Sequence, residues 1–374
     1  MNRRSNRRSF IKNAGLVAAA AGGSATLAAP AIAQSSPELK WRLTSGFPKA
    51  LDTIYGGAER LAKIVSEMTD GKFQIQVFAS GEIVPTPGVV DAVQNNTVEM
   101  AHTASYYYFG KEPTFAFGAA VPFCLNSRGE NAWFYYGGGN ELMNEFYAKF
   151  KMIGFPAGNT GAQMGGWWRK EIKTVEDMKG VKFRVGGFGG AVMAKLGVVP
   201  QNIPGGDIYP ALEKGTIDAA EWVGPYDDQK LGFDKVAKFY YYPGFWEGGA
   251  TLHLFVNLDK WNELPKNYQA VVKAAAAYAN VDMQAQYDAL NPKALRELVG
   301  RGVQLRAFSN EILSACFDAA QETCNEMSAK SADFKKVFDS VKAFRNEEYL
   351  WFQVADGTYD NFMYAQQRAG KLNQ

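Results

Sequence analysis

Pro204-Gly-Gly-Asp-Ile-Tyr-Pro-Ala-Leu-Glu-Lys-Gly-Thr-Ile-Asp-Ala-Ala-Glu-Trp-Val-Gly-Pro225 spells out one α/β unit. Asp207 to Lys214 reads as a helix that stops at Gly215, the residue type that most readily takes the left-handed conformation after a last turn. Thr216 to Val223 follows as a strand and closes on the pair Glu221-Trp222 before Gly224-Pro225 breaks it. A carboxylate and an indole at a strand end suit a cleft better than a packed core.

The same alternation extends on both sides. Upstream, Thr174-Val-Glu-Asp177 has the form of a capping box whose helix stops at Gly180. Val181, Phe183 and Val185 alternate as a strand, with Lys182 and Arg184 on its other face, and Gly189 to Leu196 returns as a helix closed by Gly197. Earlier still, Ile54, Ala58, Leu61, Ile64, Val65 and Met68 form a helical stripe within Thr53 to Thr69, ended by Asp70-Gly71. Phe73, Ile75 and Val77 alternate as a strand, Val89 to Asn96 is a short helix, and an apolar segment leads into His102. This β/α alternation implies mostly parallel sheets. From Lys266 the chain reads as almost wholly helical, near 266–298, 309–330 and 341–369, more helix than two small α/β lobes need for cover.

At the N-terminus, Arg3, Arg4, Arg7, Arg8 and Lys12 precede an apolar stretch from Ala14 to Ala29, and Ala31-Ile32-Ala33 has the form of a signal-peptidase site. Residues 1–33 are therefore expected to be a cleaved export signal. Asn6-Arg7-Arg8-Ser9-Phe10-Ile11-Lys12 resembles a twin-arginine signal, with Asn6 where Ser or Thr is usual. Cleavage removes five positive charges and no negative one, so the net charge moves from +2 to −3. No basic run survives to neutralise a row of phosphates, which argues against a nucleic-acid partner. The remaining length, about 340 residues, exceeds what one core usually sustains, so two lobes are expected.

Catalytic motifs are sparse. His102 and His253 are the only histidines, too few for a multi-histidine metal centre, and both are expected to sit beside a sheet. There is no G-x-S-x-G and no Walker A sequence. Gly186-Gly187-Phe188-Gly189-Gly190 fails the dinucleotide fingerprint because Val192 stands where the third glycine belongs, so these glycines read as a turn into a helix. Asp227-Asp228 reads as a solvated pair in a loop. Cys124, Cys316 and Cys324 read as buried thiols, the last two about 12 Å apart on one helix and too far to bridge.

What remains suits the capture of a small carboxylate. Arg184 leaves its strand at the carboxyl end, where open α/β sheets place ligands, and a guanidinium grips a carboxylate through two parallel hydrogen bonds. Gln163 opens Gln-Met-Gly-Gly-Trp-Trp-Arg-Lys, which includes Trp168, and Tyr106-Tyr107-Tyr108 supplies phenols from the other lobe.

These runs carry a resemblance. Gln163 to Ile172, Met178-Lys-Gly-Val-Lys-Phe-Arg184, Pro204 to Pro225 and Trp246-Glu247-Gly248 together resemble the periplasmic solute-binding subunits of TRAP (tripartite ATP-independent periplasmic) transporters of the DctP type, in the branch that binds 2-oxo acids such as pyruvate. The resemblance spans essentially all of the chain after the signal. It implies a type II periplasmic-binding-protein-like α/β fold, two lobes joined by crossing strands and a long hinge helix, with an extended C-terminal helical region. Lobe I is expected at 34–158 and about 225–260, lobe II at 159–224 and about 261–330, and a dimerising helical region at 331–374. The implied function is a periplasmic receptor, not an enzyme, that hands a small 2-oxo or 2-hydroxy monocarboxylate to a membrane permease. Arg184 would match the solute-carboxylate anchor, with Gln163, Trp222, Tyr108 and Trp168 around the solute. Gln163, Glu221, the Trp222 carbonyl and Glu247 would match the oxygen ligands of a bridging metal ion, sodium ahead of calcium. As a cleft residue, Arg184 is expected to affect binding and to leave the melting temperature nearly unchanged. The alternatives are a receptor for a sugar acid or other larger carboxylate, and a secreted metal-assisted lyase or isomerase using Glu221 or Glu247 as a base. The last is disfavoured because the sequence shows no second proton-transfer partner.

Overall fold

The computed structural model describes residues 37–373, so the expected export signal at 1–33 lies outside the described residues. In chain order the strands are β1 (Leu39–Ser45), β2 (Phe73–Phe78), β3 (Met100–Thr103), β4 (Met152–Asn159), β5 (Trp167–Trp168), β6 (Lys182–Arg184), β7 (Val199–Gln201), β8 (Ala219–Ala220), β9 (Phe239–Tyr242), β10 (Thr251–Asn257) and β11 (Gln304–Ala307). They form two sheets of order β2-β1-β3-β10-β4 and β11-β9-β5-β8-β6-β7. Helices pack on both, so the α/β class expected from the alternation is the class observed.

The sheets are mixed rather than mostly parallel. β10 runs antiparallel to β3 and β4, and β5 antiparallel to β8 and β9. The reason is the path of the chain. It leaves the first sheet after β4, enters the second at β5, and returns from β9 to β10, so a strand on each side of the crossing opposes its neighbours. β9 belongs to the second sheet, whereas the expected boundaries gave 225–260 to the first lobe; β11, also in the second sheet, falls within the expected 261–330.

The two crossing segments bond to each other. Thr160 N donates to Ala250 O (3.1 Å), Gln163 N to Glu247 O (3.1 Å) and Gly244 N to Gln163 O (2.9 Å). Beside them runs the 35-residue helix Lys266–Gly300, which packs on β4 and the helix Ile54–Met68, and further along on the helix Pro225–Leu231. Its Ala275, Ala276 and Ala279 are buried and let it lie close. A Cβ at Gly57 or Gly158 would stand 2.4 or 2.6 Å from the Met283 methyl, so a larger residue at either position would require the Met283 side chain to move.

Local readings fared unevenly. The helix Ile54–Met68 buries Ile54, Ala58, Leu61 and Val65 as expected, while Met68 is exposed at its end. The capping-box helix is only a 3₁₀ turn, Glu176–Met178: Asp177 Oδ2 accepts from Lys173 N and Thr174 N (2.9 and 3.0 Å), but Gly180 leaves no length to propagate. The strand expected at 216–223 has two residues in the ladder, although Asp218 N to Lys182 O (2.8 Å) and Glu221 N to Arg184 O (3.0 Å) continue its bonding to β6.

At the C-terminal end, the helix Asn310–Lys330 packs on the helix Gly187–Lys195 of the second sheet. The next helix, Ala332–Val354, begins nine residues before the expected 341, because Ser331 caps it by accepting from Phe334 N (3.1 Å). Phe334, Val337, Phe338 and Val341 are buried at helical spacing, each stabilising by roughly 1.5–3 kcal/mol. Beyond them Leu350, Trp351 and Val354 are exposed, and the final helix Asp356–Arg368 buries nothing. No described helix is long and apolar enough to cross a membrane.

Cys124, Cys316 and Cys324 are free and buried, and burial pushes each thiol up to about 12. The thiolate is the reactive form. The native protein at pH 8 should therefore fail to react with Ellman's reagent over an hour and titrate three thiols once unfolded in guanidinium; rapid labelling of the native state would contradict this burial.

Candidate functional site

Two adjacent parallel strands set the centre of the site. β6 and β8 are in register with Arg184 opposite Ala220, which leaves Arg184 and the next residue, Glu221, at the same sheet edge. Arg184 Nη1 bonds Glu221 Oε1 and also the Glu221 carbonyl (2.8 Å), while Nε donates to Ile203 O (3.0 Å). Gly186 N donates to the same Glu221 Oε1 (2.9 Å). Both side chains are fully buried. Burial, the largest single influence, disfavours the charge on Arg184, but Glu221 together with Tyr107, Tyr106 and Glu247 outweighs it and raises its pKa. Burial likewise pushes Glu221 up while Arg184 pulls it back. With a guanidinium and a backbone N–H in contact, the pair is charged.

The Trp222 ring lies 5.1 Å from the Arg184 guanidinium carbon, a cation-π contact. Its Nε1 donates to Asp227 Oδ2 (3.3 Å). From the first sheet, Phe47 meets this ring edge-on at 6.5 Å. Tyr106 and Tyr107, in the 3₁₀ turn Ser105–Tyr108, also face the site. Burial pushes the Tyr107 phenol up to about 12, an effect that the nearby Arg184 charge partly offsets. Tyr106 lies beside Glu247, whose negative charge adds to burial in pushing the phenol up. The Tyr106 side chain packs where Cβ atoms on Gly186 and Gly187 would stand, 2.9 Å from its ring and 2.7 Å from its own Cβ, so both glycines are needed for this approach.

Glu247 and Gln163 lie on the two crossing segments, joined by the Gln163 N to Glu247 O bond. Burial pushes the Glu247 carboxyl well above the usual carboxylate range, the negative Glu221 adds to this, and Arg184 partly offsets it. Three buried acceptors here lack a hydrogen-bond partner: Gln163 Oε1, Glu221 Oε2 and Glu247 Oε2. A buried acceptor without a partner is costly, and three on neighbouring segments form a set of hard oxygens that fits Na⁺ or Ca²⁺. Among the described residues no group of three or more His, Cys, Asp or Glu is placed to hold a metal, consistent with a set made of two carboxylates and one amide.

The structure thus brings together Gln163, Arg184, Glu221, Trp222 and Glu247. It does not bring in Tyr108, whose hydroxyl donates to Thr86 O (3.0 Å) and lies 3.2 Å from Thr103 Oγ1 in the core of the first sheet. Its neighbours Tyr106 and Tyr107 lie near Arg184, Glu221 and Glu247 instead. Trp168 is also core: its Nε1 donates to Gly165 O (2.9 Å) and its ring packs on Phe183, Tyr241 and Phe308. Nor are Asp227 and Asp228 solvated. Both are fully buried in the first turn of the helix Pro225–Leu231. Asp228 accepts from Trp167 Nε1 (2.9 Å) and Tyr240 (2.7 Å), and Asp227 from Tyr287 of the long helix (2.7 Å) as well as from Trp222. Burial pushes both up to about 7. The sequence signal for them was Gly224-Pro225, a helix start with acids in its first turn. His102 and His253 sit on β3 and β10, buried, and burial pushes them down to about 4 and about 3.

A narrow opening beside Arg184 is lined by Gly46, Thr86, Pro87, Tyr107, Asn202, Ile203, Pro204 and Gly205. Asp52, on the first-sheet side, bonds Tyr226 (3.1 Å) and Lys230 of the second.

Residues 44–331 match the family model for bacterial extracellular solute-binding protein, family 7. A monocarboxylate 2-oxoacid-binding periplasmic protein from Nostoc sp. is 53% identical over 326 residues, 87% of this chain and 89% of that protein. A TRAP transporter solute-binding protein from Bordetella bronchiseptica, a dimer with copurified calcium and picolinate, is 48% identical with TM-score 0.88 over 89% of this chain and 99% of that one. Another from Pseudoalteromonas atlantica, with bound sodium and pyruvate, is 39% identical with TM-score 0.84 over 87% and 99%.

The ion pair corrects one expectation. Arg184→Ala strands Glu221 as a buried unpaired charge and Glu221→Ala strands Arg184, so each should lower unfolding stability by about 3–5 kcal/mol in urea titrations. An Arg184→Ala protein as stable as the wild type would show that the pair carries no stability.

Proposed function

Because the chain belongs to the bacterial extracellular solute-binding protein family 7, we propose that it is the periplasmic receptor of a TRAP transporter, capturing a small 2-oxo or 2-hydroxy monocarboxylate and delivering it to the membrane permease. The observation that carries this reading is the row of three unpartnered buried oxygens beside an ion-paired arginine. Gln163, Glu221 and Glu247 would hold a cation, joined by the Trp222 carbonyl. A bound cation supplies a positive point to which a carboxylate and its 2-oxygen can both turn. Arg184 fixes the carboxylate, held in place by Glu221, the Ile203 carbonyl and the Trp222 face. Tyr106 and Tyr107 close the site from the first sheet and exclude water. The narrowness of the opening favours a short solute.

Nothing in this assembly calls for bond making. The acids nearest the solute serve as counter-charges, and Asp227 and Asp228 are taken up by indole and phenol donors. Arg184 carries +1 against −1 each from Glu221, ionised Glu247 and a monocarboxylate, so calcium would balance the site where sodium would leave it at −1. The Bordetella bronchiseptica and Pseudoalteromonas atlantica proteins hold one ion each, and both ions are candidates here.

The exposed Leu350, Trp351, Val354, Tyr359 and Phe362, beyond the buried start of the helix Ala332–Val354 and on a final helix that buries nothing, support a homodimer in which a second copy covers them.

In a thermal-shift measurement on chelator-treated protein, pyruvate should stabilise strongly only with Ca²⁺ or Na⁺ present, by about 2.7 kcal/mol at a hundredfold excess over Kd. Indifference to every mono- and dicarboxylate, with either ion, would sink the receptor reading. Elemental analysis of the untreated protein then separates the two ions. Ending the chain at Glu347, which removes all five of these residues, should convert a dimer into a monomer by sedimentation while leaving solute affinity unchanged; a truncated protein that still dimerises would place the interface elsewhere.

A further inference from the structure

A glutamine can turn either its oxygen or its NH₂ toward a cation, and only the first makes it a ligand. Which one it turns depends on what holds the other end of the amide. In this chain that end meets Thr160. The Thr160 hydroxyl donates its only proton to Gly161 O (2.9 Å). Its oxygen then accepts from Ala250 N (3.2 Å) and from Gln163 Nε2 (3.1 Å). A hydroxyl whose proton is already committed can offer the amide nothing but an acceptor, so NH₂ must face Thr160 and Oε1 must face away. Oε1 is the atom found buried without a partner.

We propose that Thr160 is the positioning residue that makes Gln163 an oxygen donor to the cation. This rests on the reading of Gln163 as a metal ligand and adds what enforces it. Thr160 is also part of the crossing itself. Its own N–H bonds Ala250 O (3.1 Å) on the returning segment, three residues beyond Glu247, so one side chain ties the amide to the strand that carries the second carboxylate. Asn159 and Thr251, its neighbours on the two segments, bond each other (3.1 Å) and the buried Glu130 (3.2 and 2.6 Å), which leaves Thr160 in a frame of satisfied polar groups.

The test is calorimetric titration of Ca²⁺ alone into chelator-stripped protein, with melting temperatures recorded in parallel. Thr160→Val, which keeps the shape and removes the acceptor, should weaken Ca²⁺ binding by about 10- to 100-fold. Thr160→Ser should stay close to wild type. In a Gln163→Glu background both carboxylate oxygens accept, no orientation can be lost, and adding Thr160→Val should change the affinity little. An equal loss in both backgrounds would assign Thr160 a merely structural role and overturn the proposal. So would a Gln163→Ala protein with weakened Ca²⁺ binding beside a Thr160→Val protein with none. A Gln163→Ala protein that binds Ca²⁺ as tightly as the unaltered chain, or an unaltered chain that binds none, would overturn the ligand reading itself. Should Thr160→Val fail to fold, Thr160→Ala replaces it with the same expected loss.

Discussion

The ion pair between Arg184 and Glu221 is the interaction on which the rest of this site depends. It is fully buried at the edge of two neighbouring parallel strands, where neither partner can be hydrated. Burying two charges is costly unless the geometry is good and the remaining donors are used. Here Nε and Nη1 reach the carbonyls of Ile203 and Glu221, and Glu221 takes a second donor from Gly186. The pair therefore fixes three chain segments at once: the end of β6, the turn into the following helix, and the loop carrying Asn202 and Ile203 that borders the opening. Trp222, next in sequence to Glu221, is placed over the guanidinium by the same strand end.

The second requirement is that the chain cross between sheets where the site is. The crossing segments around Thr160 to Gln163 and Gly244 to Ala250 bond to each other, and they present Gln163 and Glu247 beside the strand end that presents Glu221. A cation held by all three would touch a strand end of one sheet and both connections to the other. Its binding would thus act on both sheets at once, with no long-range relay required. The Asp227 carboxylate extends the frame further, since it accepts from Trp222 in the site and from Tyr287 on the long helix.

Much of this was legible in residues 163–172, 178–184, 204–225 and 246–248, because strand ends marked by glycine and proline are local features. Arg184, Glu221, Trp222, Gln163 and Glu247 all fell in such places. The errors came where direction or pairing is set by tertiary structure. In Tyr106-Tyr107-Tyr108 the three phenols of a 3₁₀ turn point different ways, and sequence spacing could not say that Tyr108 turns into the first-sheet core. Trp167 and Trp168 were indistinguishable in sequence from cleft residues, yet both pack within the second sheet's surroundings. The antiparallel β5 and β10 follow from a chain crossing that no local periodicity records. Acidic residues placed as solvated, Asp227 and Asp228, proved buried because indole and phenol donors from distant segments converge on them.

The charges left in the site indicate what must complete it. Arg184 is already matched by Glu221, so Glu247 has no cation of its own, and its carboxyl is pushed up by burial and by facing Glu221. Adding an anionic solute to this arrangement without a compensating cation would place a second negative charge where the dielectric response is weak. A neutral Glu247 avoids that repulsion but leaves its Oε2, together with Gln163 Oε1 and Glu221 Oε2, without partners. A cation at these oxygens resolves both problems together: it satisfies the acceptors and supplies the charge that a carboxylate requires. The solute and the ion then stabilise each other through the same electrostatics, which makes the ion part of the recognition surface and not an accessory to it.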